Sequence, residues 1–386
     1  MKKYLLTPGP VELPAAVRNA EAEQLISHRG KAFYELFERV ENKLQQLFQS
    51  KSPVVLLPSS GTGALECAAV NFLKPGDKFI SFSCGTFGDR FREIAKRTGA
   101  QAICCDIPMG EAPTAEMTAE LCAEHPDAAA VLVTHNETSS AVTVPLKELL
   151  AAVPRERRPL VMVDGVSSVG TIEILPEQWG ADVVCTASQK GLMTPPGLGL
   201  LWLSERAVKA ALSNEPRSYY FDLRLHLKNM RPGAMANPYT PPVSLYFALD
   251  SALSIILKDG AGKWFEKRRH FAQAFAAAAE GCGYGLFVKK PELRSAGLTA
   301  MTAPSGADSE IIRGRLLEAG FETAGGMGAM QGRLIRAAHY TDWDFEDLKN
   351  IVGALAAAAE KEELCPDALK RAHEIYLNYD ADEGNR

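Results

Sequence analysis

The 386-residue sequence lacks long hydrophobic runs, an excess of basic residues and closely paired cysteines. Near the N-terminus, the apolar stretch of residues 4–6 stops at Thr7-Pro8-Gly9-Pro10, which is too short for a signal-peptide core or a membrane span. The formal net charge of -5 argues against a nucleic-acid-binding protein, whose binding domain is normally basic. We therefore expect a protein that binds neither membranes nor nucleic acids.

The eight cysteines are scattered, with no Cys-x-x-Cys motif and no paired spacing typical of zinc or iron–sulfur ligands. Most of them lie inside apolar runs, as buried thiols do. This pattern predicts no metal site and favours a reducing, cytoplasmic location.

Short apolar runs alternate with helix-like segments through the first two thirds of the chain. The runs that predict strands cover residues 54–57, 78–82, 102–105, 130–133, 160–163, 182–186 and 198–203. Such alternation is typical of βαβ units, and the nearly continuous apolar character predicts a mostly parallel sheet covered by helices on both faces. We expect an α/β fold with an N-terminal arm (1–20), a large domain (21–255) and a smaller C-terminal α+β domain (256–386).

Two regions give weaker periodic signals. Residues 205–243 lose the regular pattern, and the Pro- and Gly-rich segment MRPGAMANPYTPPVSLY predicts an extended loop there. A long helix is expected to follow from Ser244 through His270, with a bend near Asp259-Gly260.

Ligands bind beyond the carboxyl ends of strands in open α/β sheets, and polar residues follow several of the expected strands here. Ser60-Gly61-Thr62-Gly63 opens a helix and suits an anion, because a helix N-terminus offers free N–H groups; a plain N-cap is the alternative. Asp164 directly follows another strand, where a turn or cap is the simpler interpretation. Lys190 follows a third, where an ordinary surface lysine is the simpler interpretation.

Taken together, these three features match what pyridoxal 5′-phosphate requires. The helix start would hold the phosphate, Asp164 would pair with the protonated pyridine nitrogen, and Lys190 would form the Schiff base. Lys190 lies 26 positions after Asp164, which leaves room for one helix and one strand, so both groups can converge on one ring.

The chain resembles the class V aminotransferases, which have the pyridoxal-phosphate-dependent transferase fold of type I. The motifs behind this resemblance are spread over almost the whole chain: Leu6-Thr7-Pro8-Gly9-Pro10, Ser60-Gly61-Thr62-Gly63-Ala64, Asp164-Gly165-Val166-Ser167-Ser168, Ser188-Gln189-Lys190-Gly191 and Arg333-Leu334-Ile335-Arg336. The branch it is most similar to contains the alanine– and serine–glyoxylate (or pyruvate) aminotransferases.

The resemblance implies a role for each of these positions. Lys190 and Asp164 are the expected catalytic residues, and Arg336 is expected to bind the substrate α-carboxylate. Cofactor contacts are implied for Ser60, Gly61, Thr62, Phe87, Thr138, Val166, Gln189 and, from the other subunit of a homodimer, Thr240. Gly9, His28 and Arg29 are expected near the substrate, and the last two are alternatively a loop pair that caps the next helix.

The implied activity is transfer of an amino group from a small amino acid to a 2-oxo acid such as glyoxylate or pyruvate, in a ping-pong cycle. The Ser27-His28-Arg29 stretch keeps phosphoserine or 2-aminoethylphosphonate open as substrates. A catalytically idle relative that serves as a binding partner is a third alternative. Cysteine desulfurases share the fold, but residues 322–331 lack the cysteine that they need.

Overall fold

The computed structural model describes residues 3–153, 155, 159–230 and 236–383. The elements of the first part of the chain, in order, are β1 (Tyr4–Leu5), α1 (Ala15–Glu21), α2 (Lys31–Leu47), β2 (Val54–Pro58), α3 (Gly61–Phe72), β3 (Lys78–Ser83), α4 (Thr86–Lys96), β4 (Gln101–Asp106), α5 (Ala115–Glu124), β5 (Ala128–Thr134), β6 (Asn136–Glu137), β7 (Val142–Thr143), α6 (Leu146–Ala151), β8 (Leu160–Asp164), α7 (Pro176–Trp179), β9 (Val183–Ala187) and β10 (Leu198–Leu203).

Helices and a second sheet form the rest of the described chain. Its elements are α8 (Glu205–Ser213), α9 (Leu223–Asn229), α10 (Val243–Ile256), α11 (Ala261–Gly281), β11 (Gly285–Leu286), β12 (Leu298–Thr302), α12 (Ser309–Glu318), β13 (Phe321–Glu322), β14 (Ala324–Gly325), β15 (Ile335–Ala338), α13 (Phe345–Ala358) and α14 (Cys365–Glu383).

The large sheet has seven strands in the order β2-β10-β9-β8-β5-β3-β4. β10 runs antiparallel to both of its neighbours, and the other pairs are parallel. Successive residues of β2 belong to different hydrophobic clusters: Val54 and Leu56 pack with α2 and α10, whereas Val55 and Leu57 pack with α3 and α4. Helices therefore cover both faces, which explains the continuous apolar strands.

The region from 205 to 260 differs from expectation in two places. Two short helices, α8 and α9, lie where the sequence shows no period; their first turns are capped by the side chains of Ser204 and Asp222. The expected long helix is divided into α10 and α11, because Gly260 has a φ of 92°, which an α-helix cannot accommodate. Residues 231–235 of the expected loop lie outside the described residues.

The smaller sheet is antiparallel, with the strand order β11-β12-β15-β14. The N-terminal arm is tied to this part of the molecule, because β1 pairs in parallel with β13 and the backbone N–H of Ala338 donates to the carbonyl of Leu6 at 2.7 Å. Gly9, also in the arm, contacts the loop that follows β9 of the large sheet. The arm thus links the small sheet to the region described next.

Candidate active site

Three neighbouring parallel strands of the large sheet lead into polar side chains at the same edge. β5 leads into Thr138, β8 ends at Asp164, and β9 leads into Lys190. The hydrogen bonding continues past the strand ends, since the N–H of Gly165 donates to the carbonyl of Cys185 at 2.8 Å. The carboxyl ends of parallel strands lie side by side, so three distant parts of the sequence meet here.

Lys190 is buried in this edge and is 7% exposed. Its Nζ lies 3.4 Å from the Oγ1 of Thr138 and 5.2 Å from the centroid of the Phe87 ring. Burial lowers the pKa of Lys190 to about 8, although the carboxylates of Asp164 and Glu137 favour the charged amine. Lys190 is therefore a neutral amine at a much lower pH than a surface lysine.

The loop after Lys190 is closed by Ser188. The Ser188 hydroxyl donates to the carbonyl of Pro195 at 2.6 Å and accepts from the N–H of Leu198 at 3.2 Å. The N–H of Thr194 donates to the carbonyl of Ser188 at 3.0 Å. These bonds join the two ends of the loop and hold Lys190 at a defined place.

Asp164 is the second buried ionisable group, at 4% exposure. One of its carboxylate oxygens accepts from the N–H of Val166 at 2.9 Å. Burial raises the pKa of Asp164 to about 6, while the Val166 N–H and the nearby Lys190 favour the ionised carboxylate. The group therefore suits a cationic partner inside the protein.

Arg336 on β15 reaches the same region from the smaller sheet. Its Nε donates to the carbonyl of Gly325 at 2.8 Å and one Nη donates to the carbonyl of Thr138 at 2.9 Å. Arg336 is 6% exposed. A guanidinium has five N–H groups, so the fork is fixed by two bonds and keeps donors for an anion.

The N-terminus of α3 lies against the loop after Asp164 in a close contact. Ser60 caps the helix by accepting from the N–H of Gly63 at 3.3 Å, and Thr62 is exposed. A Cβ on Gly61 would lie 2.7 Å from a methyl group of Val166, so only glycine lets the helix start approach that loop so closely. The first N–H groups of a helix have no partner within it and suit an anion.

Gly9 in the N-terminal arm lies against the lysine. Its φ is 106°, a conformation that favours glycine, and a Cβ there would lie 3.1 Å from the Cγ of Lys190. The arm therefore covers the aliphatic part of the Lys190 side chain.

The remaining predicted positions divide by burial. Phe87, Val166 and Gln189 are half-buried. Thr240 and Arg29 are exposed and His28 is half-buried; an Nη of Arg29 donates to the carbonyl of Asn237 at 3.1 Å, in the segment before Thr240. We call Thr138, Asp164, Lys190 and Arg336 the inner group, and Thr62, Thr240 and Arg29 the outer group.

Two further charged residues, Glu137 and Arg90, lie at the site, and neither was assigned a role from the sequence. Glu137 is completely buried, and its carboxylate accepts hydrogen bonds from the backbone of Phe87 and Gly88. The guanidinium carbon of Arg90 lies 4.7 Å from the centroid of the Phe87 ring. The sequence signal for Glu137 is a single carboxylate within the polar run THNETSS, residues 134–140, after an expected strand.

No group of three or more His, Cys, Asp or Glu residues suited to a metal ion occurs among the described residues. Within the same part of the chain, none of the helices combines the length and the apolar character that a membrane crossing needs.

The aminotransferase class-V family profile matches residues 4–320. The chain belongs to the class V aminotransferase family. The L-aspartate–glyoxylate aminotransferase of Paracoccus denitrificans is 32% identical over 342 residues, which cover 87% of this chain and 85% of that protein.

Solved structures of aminotransferases superimpose on this class V aminotransferase over nearly its full length. An aspartate aminotransferase from Thermus thermophilus has 30% identity and a TM-score of 0.85, with 93% of this chain and 99% of that chain covered. A ureidoglycine–glyoxylate aminotransferase from Bacillus subtilis has 25% identity and a TM-score of 0.90, with 97% and 98% covered. The expected type I fold, family and pyridoxal phosphate dependence are confirmed.

The site of this class V aminotransferase suits the family's cofactor on its own geometry. Lys190 and Asp164 supply a buried amine and a buried carboxylate that influence each other's pKa. The Oε1 of Gln189 and the Oγ1 of Thr186 are buried and have no hydrogen-bond partner among the described residues. Buried polar atoms normally have partners, and Gln189 directly precedes Lys190, so its oxygen is free to accept from a polar ligand beside the lysine.

Proposed function

We propose that this enzyme moves an amino group from a small amino acid (alanine, serine or aspartate) to a 2-oxo acid such as glyoxylate or pyruvate, in two half-reactions at one site. The observation that carries the proposal is the meeting of Lys190 and Arg336 at Thr138: the amine lies 3.4 Å from its hydroxyl, and the guanidinium binds its carbonyl at 2.9 Å. Lys190 can react with an amine and Arg336 can bind a carboxylate, and both contact Thr138, so the site suits an α-amino acid. The L-aspartate–glyoxylate aminotransferase among the relatives supports this substrate class.

Arg336 would bind the α-carboxylate of each substrate. Two backbone carbonyls hold its guanidinium, so its remaining donors are oriented before the substrate arrives. A buried guanidinium held by neutral carbonyls gains most from an anionic ligand, because the new bond is charge-assisted and shielded from water. Gly9 would border the same space from the arm side.

The start of α3 would hold the cofactor phosphate. Ser60, Gly61 and Thr62 present its first N–H groups and hydroxyls, and the helix dipole favours an anion there. Gln189 and, from a second subunit, Thr240 would add further donors. The exposure of Thr62 and Thr240 supports this arrangement, since both remain available for a ligand.

Phe87 and Val166 would lie on opposite faces of the cofactor ring. Val166 lies two residues after Asp164 and donates its N–H to that carboxylate, and the Nζ of Lys190 lies 5.2 Å from the centroid of the Phe87 ring. Apolar groups on both faces restrict the ring to one plane and exclude water from it. Thr138 would orient Lys190 through its hydroxyl.

The bound cofactor supplies an aldehyde that captures amines and a ring that accepts electron density from the substrate. Lys190 Nζ, whose lowered pKa of about 8 leaves much of it neutral near that pH, would take the proton from the substrate Cα and deliver it to the C4′ carbon of the cofactor. Asp164 would hold a proton on the pyridine nitrogen by an opposite-charge contact. Both residues are buried, so the protons that they hold or move are shielded from bulk water.

We further propose that the enzyme acts as a cytoplasmic homodimer. Thr240 and Tyr219 are exposed in the single chain, Tyr219 at 81%, and a second subunit would cover such a surface. All eight cysteines are free, which suits a reducing compartment. Light scattering of the purified protein would give the mass of a dimer if this is right, and that of a single chain if it is wrong.

A half-reaction screen tests the function. The cofactor-loaded enzyme is mixed with alanine, serine, aspartate, phosphoserine or 2-aminoethylphosphonate, and the loss of the cofactor's visible absorbance band is followed without acceptor. We expect rapid loss with at least one of the first three, and recovery of the band when glyoxylate or pyruvate is added.

Other outcomes identify the alternatives. Response to phosphoserine or 2-aminoethylphosphonate alone would replace the proposed substrates and give His28 and Arg29 the role of binding a second anion. Failure of the protein to take up the cofactor, with no response to any donor, would favour a non-catalytic binding role.

A further inference from the structure

Glu137 is a fully buried carboxylate whose function is not explained by the roles given above. Its oxygens accept from the N–H of Phe87 at 3.1 Å, from the N–H of Gly88 at 3.0 Å, and from both the N–H and the hydroxyl of Ser139, at 2.9 and 2.6 Å. Four donors from two segments therefore converge on one side chain. Burying a charge is costly unless it is bonded in this way.

Glu137 caps the N-terminus of helix α4 from a different segment of the chain. The N-cap of α4 is Gly85, which has no side chain to accept from the first turn, and Glu137 accepts from that turn instead. A Cβ on Gly85 would lie 2.7 Å from the Cγ and Cδ of Glu137, so the carboxylate packs directly on the backbone of the turn. The N–H of Thr86 is held as well, by the hydroxyl of Ser139 at 3.1 Å.

The residues on either side of Glu137 contact the inner group and its surroundings. Thr138, the next residue, contacts the amine of Lys190 and the guanidinium of Arg336. Asn136, the residue before, donates to the Ser167 hydroxyl at 2.9 Å, just beyond Asp164. Glu137 thus joins Phe87 to the segment that positions the lysine and the arginine.

We propose that Glu137 is a positioning residue that fixes the plane of the Phe87 ring relative to Lys190 and thereby orders the cofactor face of the site. The inference deepens the proposed function and rests on it for the role of Phe87. The backbone N–H of Phe87 is one of the atoms held, so a shift of α4 by a fraction of an ångström would move the ring directly. A carboxylate that only capped a helix would affect stability and leave the cofactor unchanged.

The test compares Glu137→Gln with Asp308→Asn, the same loss of charge at the exposed start of another helix. Asp308 caps α12 and accepts from the N–H groups of Glu310 and Ile311 at 2.7 and 3.1 Å. Glutamine keeps the size of Glu137 but turns one acceptor into a donor that faces another donor. We expect about tenfold weaker binding of pyridoxal phosphate and a reduced visible circular dichroism band in Glu137→Gln, and neither change in Asp308→Asn.

Two further measurements separate positioning from simple loss of structure. In the cofactor-free protein, amide hydrogen exchange over residues 84–92 is expected to rise in Glu137→Gln and to keep its wild-type value in Asp308→Asn. In a Phe87→Leu background, Glu137→Gln is expected to weaken cofactor binding by no more than about a further twofold, because the ring that it positions is gone. If Glu137→Gln does not fold, Ser139→Ala is measured in the same way; it keeps the charge of Glu137 and removes the hydroxyl that donates to Glu137 and accepts from the Thr86 N–H.

Equal losses from Glu137→Gln in the wild-type and Phe87→Leu backgrounds, or an unchanged circular dichroism band and cofactor affinity, would overturn the inference. These readouts use the cofactor alone. An enzyme that responds to none of the amino donors but shows the expected cofactor changes would refute the proposed function and leave the ordering of the cofactor face by Glu137 in place.

Discussion

The inner and outer groups of the site differ in how their positions are set. Lys190, Asp164 and Arg336 are buried, and backbone carbonyls or N–H groups hold Asp164 and Arg336 in place. Thr62, Thr240 and Arg29 are exposed. The fold of one chain therefore completes the part of the site proposed to do the chemistry. It leaves open the part that would bind the cofactor phosphate and an anionic substrate side chain.

The two arginines make this difference concrete. Arg336 is 6% exposed and fixed by two carbonyls, so an anion that reaches it meets donors already in place. Arg29 is exposed and loses side-chain entropy and hydration when it binds an anion, which leaves a small net gain. Substitutions should therefore have large effects in the inner group and small effects in the outer group.

The largest effect is expected for Lys190→Ala. The variant lacks the amine that would move the Cα proton, so the half-reaction with any amino donor should slow by at least roughly 10⁴-fold. Stopped-flow measurement of the visible cofactor band checks this. Lys258→Ala, which removes an exposed lysine, is the control and should react at the wild-type rate. A Lys190→Ala variant that keeps even a tenth of the activity would remove Lys190 from the proposed mechanism.

Asp164→Asn should come next, with a half-reaction slowed by roughly 10²–10³-fold. The amide keeps an oxygen for the Val166 N–H but loses the charge that would hold a proton on the pyridine nitrogen. The control is Asp182→Asn, since Asp182 is also buried and bonded to backbone, at the opposite edge of the sheet before β9. Similar rate losses in both variants would point to general damage rather than to a role of Asp164.

The pH dependence of cofactor uptake tests the lowered pKa of Lys190. Burial favours the neutral amine, and Arg336 and Arg90 act in the same direction, against Asp164 and Glu137. With a pKa of about 8, the neutral fraction rises roughly ninetyfold between pH 6 and pH 9 and then levels off. The uptake rate of the cofactor-free enzyme should follow that curve. A rate that still climbs without a plateau above about pH 10 would indicate an unperturbed lysine.

How far these positions could be predicted from sequence depends on the range of the interactions. Asp164 ends one buried strand and Lys190 lies three residues after the end of the next, so local patterns and the rule about strand ends placed them together. Arg336 contacts Thr138 across 198 residues, through two sheets that the sequence does not relate to each other. Only the family resemblance indicated that arginine, and its role stays a prediction.

The misses have physical reasons as well. Glu137 lies in a polar run after β5, and a periodic pattern cannot show that such a carboxylate is fully buried by backbone donors. The helices α8 and α9 are too short for a clear period, at nine and seven residues, and depend on the caps Ser204 and Asp222. Tertiary contacts and local caps decide these features.

Arg336→Lys sharpens the comparison of the two arginines. Lysine keeps the charge but cannot bind the carbonyls of Gly325 and Thr138 and a carboxylate at once, because it lacks the planar fork. We expect kcat/KM for the amino donor to fall by roughly 10- to 100-fold, with cofactor affinity unchanged. Arg333→Lys, an exposed change three residues away, is the control. A loss of cofactor affinity of the same size would mean that Arg336 supports the fold of the site instead of binding substrate.

The smallest effect is expected for Arg29→Ala. An exposed cation contributes little, so the half-reaction with alanine should change by less than about threefold, as it should in the matched variant Arg39→Ala on α2. Aspartate and phosphoserine make the test informative, because each carries a second anion. A loss confined to those donors would assign Arg29 to side-chain recognition, and a loss of more than about tenfold with alanine would place it in the inner group and end the division of the site by burial.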